Sequence, residues 1–200
     1  MDFFDAVYQR RAIKAFDPEF KIPQTTETKL FEAALQAPTS FNIQHWRFVV
    51  VRDPALRQQM RNLGNDQAQI TDASLLVIMT ADTKAWAKNP ERYWTNAPKE
   101  VADLLVGWMG PFHDGREWLQ RDEAQRSIGM AMQTLMLAAK AEGLDSCPMI
   151  GFDIEAVAKL INLPADHVMG PMVAIGKGTK APWPKPGQLA LQAVLIENKF

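Results

Sequence analysis

The chain predicts a single domain, spanning residues 1–200, in which helices alternate with strands. Three observations lead there. Its 200 residues suit one core, since cores stop growing near ~250 residues. Hydrophobic residues make up 47% and charged residues 22%, ordinary proportions for a globular chain with a sizeable interior. The apolar period switches repeatedly between helical and strand-like spacing, with no internal repeat and no low-complexity tract.

Taken in order, Phe3, Phe4, Val7 and Tyr8 fall at one-turn spacing and predict a short helix ending near Arg10-Arg11. Leu30, Ala33, Ala34 and Ala37 predict a second helix after Pro23, with Thr25 or Thr26 as N-cap and a stop at Pro38. Trp46 to Val51 is a bulky, β-branched run and reads as a strand. Asp53-Pro54 opens a helix that carries Leu56, Met60 and Leu63 on one face and ends on Gly64 as a left-handed cap. Ser74 to Thr80 is almost wholly apolar, as a strand covered on both faces would be.

Residues 83–123 interleave Trp86, Trp94, Trp108, Phe112 and Trp118 with prolines and glycines, and predict one helix near 97–108 followed by a mobile aromatic segment. The clearest helix covers 124–142, with Ile128, Met132, Leu135, Met136 and Ala139 as its stripe and Gly143 as its stop. Asp153 caps a further helix, with Ile154, Val157, Leu160 and Ile161 turned inward. Val168 to Ile175 predicts a central strand, weakened at its start by Pro171. Lys177 to Gln188 reads as loop, and Leu189 to Ile196 as an extended segment with no partner nearby in sequence, free to lie on another chain.

Charge narrows the function. Lys plus Arg total 22 against 23 Asp plus Glu, so the basic excess of a nucleic-acid binder is missing. The lone Cys147 gives no disulfide framework and fits a reducing compartment. No apolar run reaches the ~18 residues of a membrane span. The acidic start, Met1 to Asp5, lacks the basic and apolar regions of an export signal, so a soluble cytoplasmic protein is expected.

Three segments carry chemistry. Arg10, Arg11 and Lys14 form a local positive field without acids, which suits a phosphate-like anion; a solvated helix end is the plain alternative. Thr39, Ser40, Asn42, Gln44 and His45, between a helix and a strand, offer donors and acceptors to a planar ligand, or ordinary turn chemistry. At Pro148-Met149-Ile150-Gly151, Gly151 lets a ligand approach the backbone closely, although an ordinary turn explains it as well. His45, His113 and His167 lack zinc-site spacing, and no Gly-rich phosphate loop occurs.

Together these segments resemble the FMN-dependent nitroreductase family. The likeness runs from Phe4 almost to the C-terminus and rests on four blocks in register: Arg10-Arg11-Ala12-Ile13-Lys14, Pro38-Thr39-Ser40-x-Asn42-x-Gln44-x-Trp46, Asp72-Ala73-Ser74, and Pro148-Met149-x-Gly151-Phe152-Asp153. The resemblance implies an α+β subunit whose mixed, mostly antiparallel sheet is flanked by helices on both faces. It implies an intertwined homodimer, a C-terminal extension reaching the partner, and FMN at the interface.

By the same resemblance, Arg10, Arg11 and Ala12 would hold the ribityl phosphate, and Lys14 would lie at the pyrimidine edge. Pro38, Thr39, Ser40 and Asn42 would come from the opposite subunit. Gln69 would contact the ring or ribityl chain. Backbone at Pro148, Met149, Ile150 and Gly151 would meet the flavin near N5, and Lys185 would join the phosphate. This chain departs from the family's pattern at Ala12, commonly serine, at Ile150, often acidic, and at Gly187, where a second basic residue is frequent and Lys177 is the substitute on offer.

The implied activity is hydride transfer from NADH or NADPH through the flavin to a nitroaromatic, a quinone or a similar small electron-poor acceptor. A flavin-binding protein of the same fold with a specialised reductase or carrier role is the alternative. The residues agree, for they offer no nucleophile–base pair, so a cofactor must supply the hard chemistry. Lys14 would stabilise charge on the reduced ring, while Phe41 and Phe112 would wall the substrate face.

Overall fold

The computed structural model describes all 200 residues. Helix α1 (Phe3–Gln9) and helix α2 (Gln24–Ala34) precede strand β1 (Trp46–Val50). Helix α3 (Pro54–Leu63) and the single turn α4 (Gln69–Asp72) lead into β2 (Leu75–Asp82). Helices α5 (Lys99–His113) and α6 (Glu117–Ala141) follow, then β3 (Asp145–Met149), α7 (Ile154–Leu160) and β4 (His167–Gly176).

The four strands form one antiparallel sheet in the order β1-β2-β4-β3. A single parallel bridge joins Ala12 to Ser146 at the β3 edge. Strand β2 is buried along its whole length, and its alternation divides the core. Leu75, Val77, Met79 and Ala81 face α2 and α6, against Leu30, Ile128 and Leu135. Leu76 and Ile78 face α3, α4 and α7, against Met60, Ile70 and Val157. Helices therefore cover both faces, as the fold class required.

Pro171 lies inside β4 without breaking it. Ile78 pairs with Met172 and Thr80 with Met169, so Gly170 and Pro171 together oppose Met79. That bulge is a position where a strand proline is tolerated. The bulge also brings helix α6 close: a Cβ on Gly170 would stand 2.7 Å from Ile128 Cγ2 and 2.9 Å from the Met79 carbonyl oxygen.

Several boundaries differ from the sequence reading. Helix α2 is capped by Pro23 with no side-chain bond, so neither Thr25 nor Thr26 serves. Gly64 has φ −109°, and the left-handed backbone falls on Asn65 and Asp66, both at φ 54°. Helix α5 runs on to His113, through Pro111, instead of ending near 108 in a mobile segment. The carbonyl that Pro111 leaves without a donor is that of Gly107, an exposed residue open to water.

Helix α6 begins at Glu117, seven residues before the predicted 124, because Leu119 and Gln120 already pack inward. Ile154, expected inside, is 43% exposed. Leu189 to Ile196 is not a strand; it holds one 3-10 turn at Leu191–Ala193. Residues 179–200 are exposed throughout, and the apolar side chains of α1 also face outward: Phe3, Phe4 and Tyr8 are 62%, 63% and 71% accessible.

Candidate active site

Beyond α1 the chain runs along the outer edge of β3. The Ile13 N–H donates to the Ser146 carbonyl at 3.0 Å, and Ile13 and Phe16 bury inward, which leaves Ala12 and Lys14 facing out. The Arg11 guanidinium turns back to the carbonyls of Tyr8 and Arg10, at 2.7 and 2.8 Å, and so sits on the C-terminal end of α1. Arg11, Ala12 and Lys14 form one wall of a cavity of about 330 Å³; Lys180, Trp183 and Lys185 form the other. No acidic side chain lines it. An anion placed there meets cations without a competing carboxylate.

Cys147, on β3 beside this segment, is buried. Burial pushes the Cys147 thiol up, while the Lys14 charge and a contact from Gln69 Nε2 at 3.9 Å oppose that rise, so the thiol stays protonated and is no nucleophile. Gln69 is buried and donates to Gln67 Oε1 at 2.9 Å. Gln67 Nε2 in turn donates to the Gly151 carbonyl at 3.0 Å, and Asn65 Nδ2 donates to the same oxygen at 3.1 Å. Ile150 and Gly151 are exposed, and their own N–H groups donate to no group of the chain. They are free donors at the edge of the site.

A separate wall of the chain, around Ser40–Asn42 and the end of α5, is aromatic. Thr39 Oγ1 accepts from the Gln44 N–H at 3.0 Å, and Asn42 Nδ2 donates to the Tyr93 carbonyl at 2.8 Å. Phe41, Asn42 and Gln44 all have positive φ, at 51°, 56° and 52°. Such strain persists only where surrounding contacts over-determine it, and it clusters at functional sites. The Phe41 ring lies 5.3 Å from that of Phe112 and 5.8 Å from that of His113.

Beneath these rings the polar groups are incompletely paired. His45 Nδ1 meets Ser127 Oγ at 3.0 Å and His113 Nδ1 meets the Met109 carbonyl at 2.8 Å, yet neither Nε2 has a partner. Trp86 Nε1 and Trp94 Nε1 are likewise unpaired. Burial, reinforced by neighbouring His113, lowers the His45 pKa to about 4; burial lowers that of His113 too. Both imidazoles are neutral at pH 7. Gln120 steadies the end of α5, donating from Nε2 to the His113 carbonyl at 2.8 Å while its Oε1 accepts from Lys84 Nζ at 2.6 Å.

Of the residues singled out by sequence, Arg11, Ala12, Lys14 and Lys185 meet in one cavity. Arg10 is adjacent in sequence but does not line it. Lys177, the substitute considered for a basic residue at Gly187, does not line it either; the second cation beside Lys185 is Lys180. Pro148, Met149, Ile150 and Gly151 follow along the β3 edge, with Gln69 beneath. Pro38, Thr39, Ser40 and Asn42 belong to the aromatic wall, and none of them lines the cationic cavity of the same chain. Sequence reasoning missed Asn65, Gln67, Gln120 and Lys180. The Gly64-Asn65-Asp66 run was the available signal for the first two, since Asn and Asp are the residues that tolerate left-handed backbone.

Comparison with known proteins bears on this geometry. The chain belongs to the nitroreductase family, whose model matches residues 7–177. It is 60% identical to Protein DrgA of Synechocystis sp. over all of this chain and 97% of that one. It is 30% identical to MhqN of Bacillus subtilis, assigned as an NAD(P)H nitroreductase, over 88% of each chain. A crystal structure from Exiguobacterium sibiricum, of a protein assigned as a nitroreductase in complex with FMN, superposes with a TM-score of 0.90 at 27% identity, covering 98% of this chain and 97% of that one.

Proposed function

We propose that this chain is an NAD(P)H-dependent FMN oxidoreductase that reduces nitroaromatic, quinone or similar electron-poor acceptors, acting as an intertwined homodimer in the cytoplasm. The observation that carries the reading is the acid-free cavity of Arg11, Lys14, Lys180 and Lys185 beside β3, the strand whose far end leads to the free N–H groups of Ile150 and Gly151. Cations at one end and unpaired donors at the other suit a ligand that carries a phosphate and a planar, acceptor-rich ring. The FMN-bound relative from Exiguobacterium and the NAD(P)H in the assignment of MhqN give that ligand and its reductant their names.

FMN, when bound, would supply the two-electron chemistry that links NAD(P)H to the acceptor. Arg11, Lys180 and Lys185 hold the phosphate, with Arg10 near the helix end behind them. Lys14 presents a fixed charge beside the part of the ring that becomes electron-rich on reduction, and its backbone, tied to β3 through Ile13, keeps it there. Gln69, Pro148, Met149, Ile150 and Gly151 line the ring edge.

The Pro38, Thr39, Ser40 and Asn42 block acts from the partner subunit, because in its own chain it stands apart from the cations. Exposed Phe3, Phe4 and Tyr8, with the outward C-terminal arm, supply an apolar surface for that partner. Phe41 and Phe112 favour flat acceptors by stacking.

An anaerobic optical titration tests this. The purified protein, supplied with FMN, is expected to show flavin absorbance, to bleach on adding NADH or NADPH, and to recover with a quinone. Protein that takes up no FMN, or holds FMN that neither nicotinamide bleaches, overturns the reading.

A further inference from the structure

Glycine is the residue least able to hold a fixed backbone on its own, yet both peptide units flanking Gly151 are tied. On one side the Ile150 carbonyl accepts the Phe152 N–H at 3.0 Å. Because the peptide is planar and trans, the Gly151 N–H must point the opposite way. On the other side the Gly151 carbonyl accepts two side-chain amides, Asn65 Nδ2 at 3.1 Å and Gln67 Nε2 at 3.0 Å. Gln67 is itself oriented, since its Oε1 accepts from buried Gln69 at 2.9 Å.

The loop that delivers these amides is held in an unfavourable shape. Asn65 and Asp66 both adopt φ 54°, and the loop is braced by Arg61, whose Nε donates to Asp66 Oδ1 at 2.6 Å and whose Nη1 donates to Thr71 Oγ1 at 3.0 Å. A Cβ on Gly151 would meet only Gln67 Nε2, 4.0 Å away, so the outer side of this backbone is open.

Taking the FMN reading as given, we infer that Asn65 and Gln67 are positioning residues that clamp the Gly151 carbonyl and thereby aim the free Gly151 N–H at the bound ring. A donor fixed in advance costs no reorganisation when charge develops on its acceptor. Two amides on one oxygen also make the clamp redundant, so losing one matters less than losing both.

The test uses Asn65→Gly, which keeps the left-handed backbone and removes the amide, Gln67→Met, which keeps length without a donor, and the double variant. The first readout is the 15N order parameter of Gly151 in the flavin-free protein. It is expected near ~0.85 in wild type and below ~0.6 in the double variant. The second is stopped-flow reduction of the FMN-loaded protein by NAD(P)H. This should slow about tenfold in the double variant, and by less in either single one, with FMN affinity changed under about threefold.

Gln67→Glu, alike in shape but without the donor in its ionised form, should behave as Gln67→Met does. An order parameter that falls while reduction keeps its wild-type rate overturns the positioning role, as does an unchanged order parameter. Wild type that binds no FMN overturns the oxidoreductase reading as well, a different result from wild type that binds FMN and double variant that reduces normally.

Discussion

The Gly151 carbonyl past the end of β3 and the His113 imidazole under the aromatic wall have their polar atoms treated in opposite ways. The carbonyl accepts from Asn65 and Gln67 together, whereas His113 Nε2 has no partner although the residue is fully buried. The contrast extends to their surroundings. Past the end of β3, Gln69 Nε2 is committed to Gln67 Oε1 at 2.9 Å and Gln67 Nε2 to the Gly151 carbonyl at 3.0 Å, although on β3 itself Ser146 Oγ is buried and unpaired.

Under the aromatic wall, His45 Nε2, His113 Nε2, Trp86 Nε1 and Trp94 Nε1 are all buried and unpaired. Each such atom costs on the order of 1–3 kcal/mol. The edge is thus specified by directional bonds, and the wall by ring packing that tolerates change. A fixed edge suits a cofactor that never varies, and an adaptable wall suits acceptors that do.

The largest expected effect strikes the aromatic wall. Burial holds His45 at about 4, below its ordinary 6.5. Between those values the unfolded chain takes up a proton that the folded chain refuses. Stability present above pH 6.5 is therefore lost as the pH falls toward 4, by up to about 3 kcal/mol, and His113 adds to the loss in the same direction. Urea unfolding at pH 7, 5.5 and 4.5 should show this slope, and His45→Asn should flatten it. A slope undiminished when both His45 and His113 are replaced by asparagine would place the titration outside the wall and break the comparison.

On the fixed edge, Lys14→Ala should leave FMN bound but slow its reduction by NAD(P)H about 100-fold, as loss of one preorganised electrostatic group does. Stopped-flow reduction at the wild-type rate would remove Lys14 from that role. The smallest effect belongs to Phe112→Ala, which should raise KM for flat aromatic acceptors about fivefold, worth roughly 1 kcal/mol of ring contact. Steady-state kinetics with a planar and a non-planar quinone would sharpen the contrast, since only the planar one should respond.

How far the sequence revealed this depends on the kind of signal each element carries. The all-apolar β2 and the Asp53-Pro54 start of α3 could be read because burial on both faces and a cap beside an N1 proline are local features. Residues 99–113 were harder, because Pro111 and two glycines argue against a helix that packing on Met109 and His113 sustains. Within the site, Arg11 and Lys14 were visible as charge without acids. Gln67 was not, for an amide four residues past a helix acquires meaning only when the chain brings Gly151 within 3.0 Å of it. Lys180 was missed for a related reason: nothing local separates it from Lys177 until the arm folds back beside Arg11.

The mismatch of two β4 residues against Met79 has a reach beyond the sheet. Ile128 rests on Gly170 with no room for one further methyl, and its neighbour Ser127 is the residue that holds His45. Midway along the long helix, its approach to the sheet is limited by this one contact. Gly170→Ala would lift the helix there like a shim under a beam, and the strain would surface at the imidazole next door before it disturbed either end.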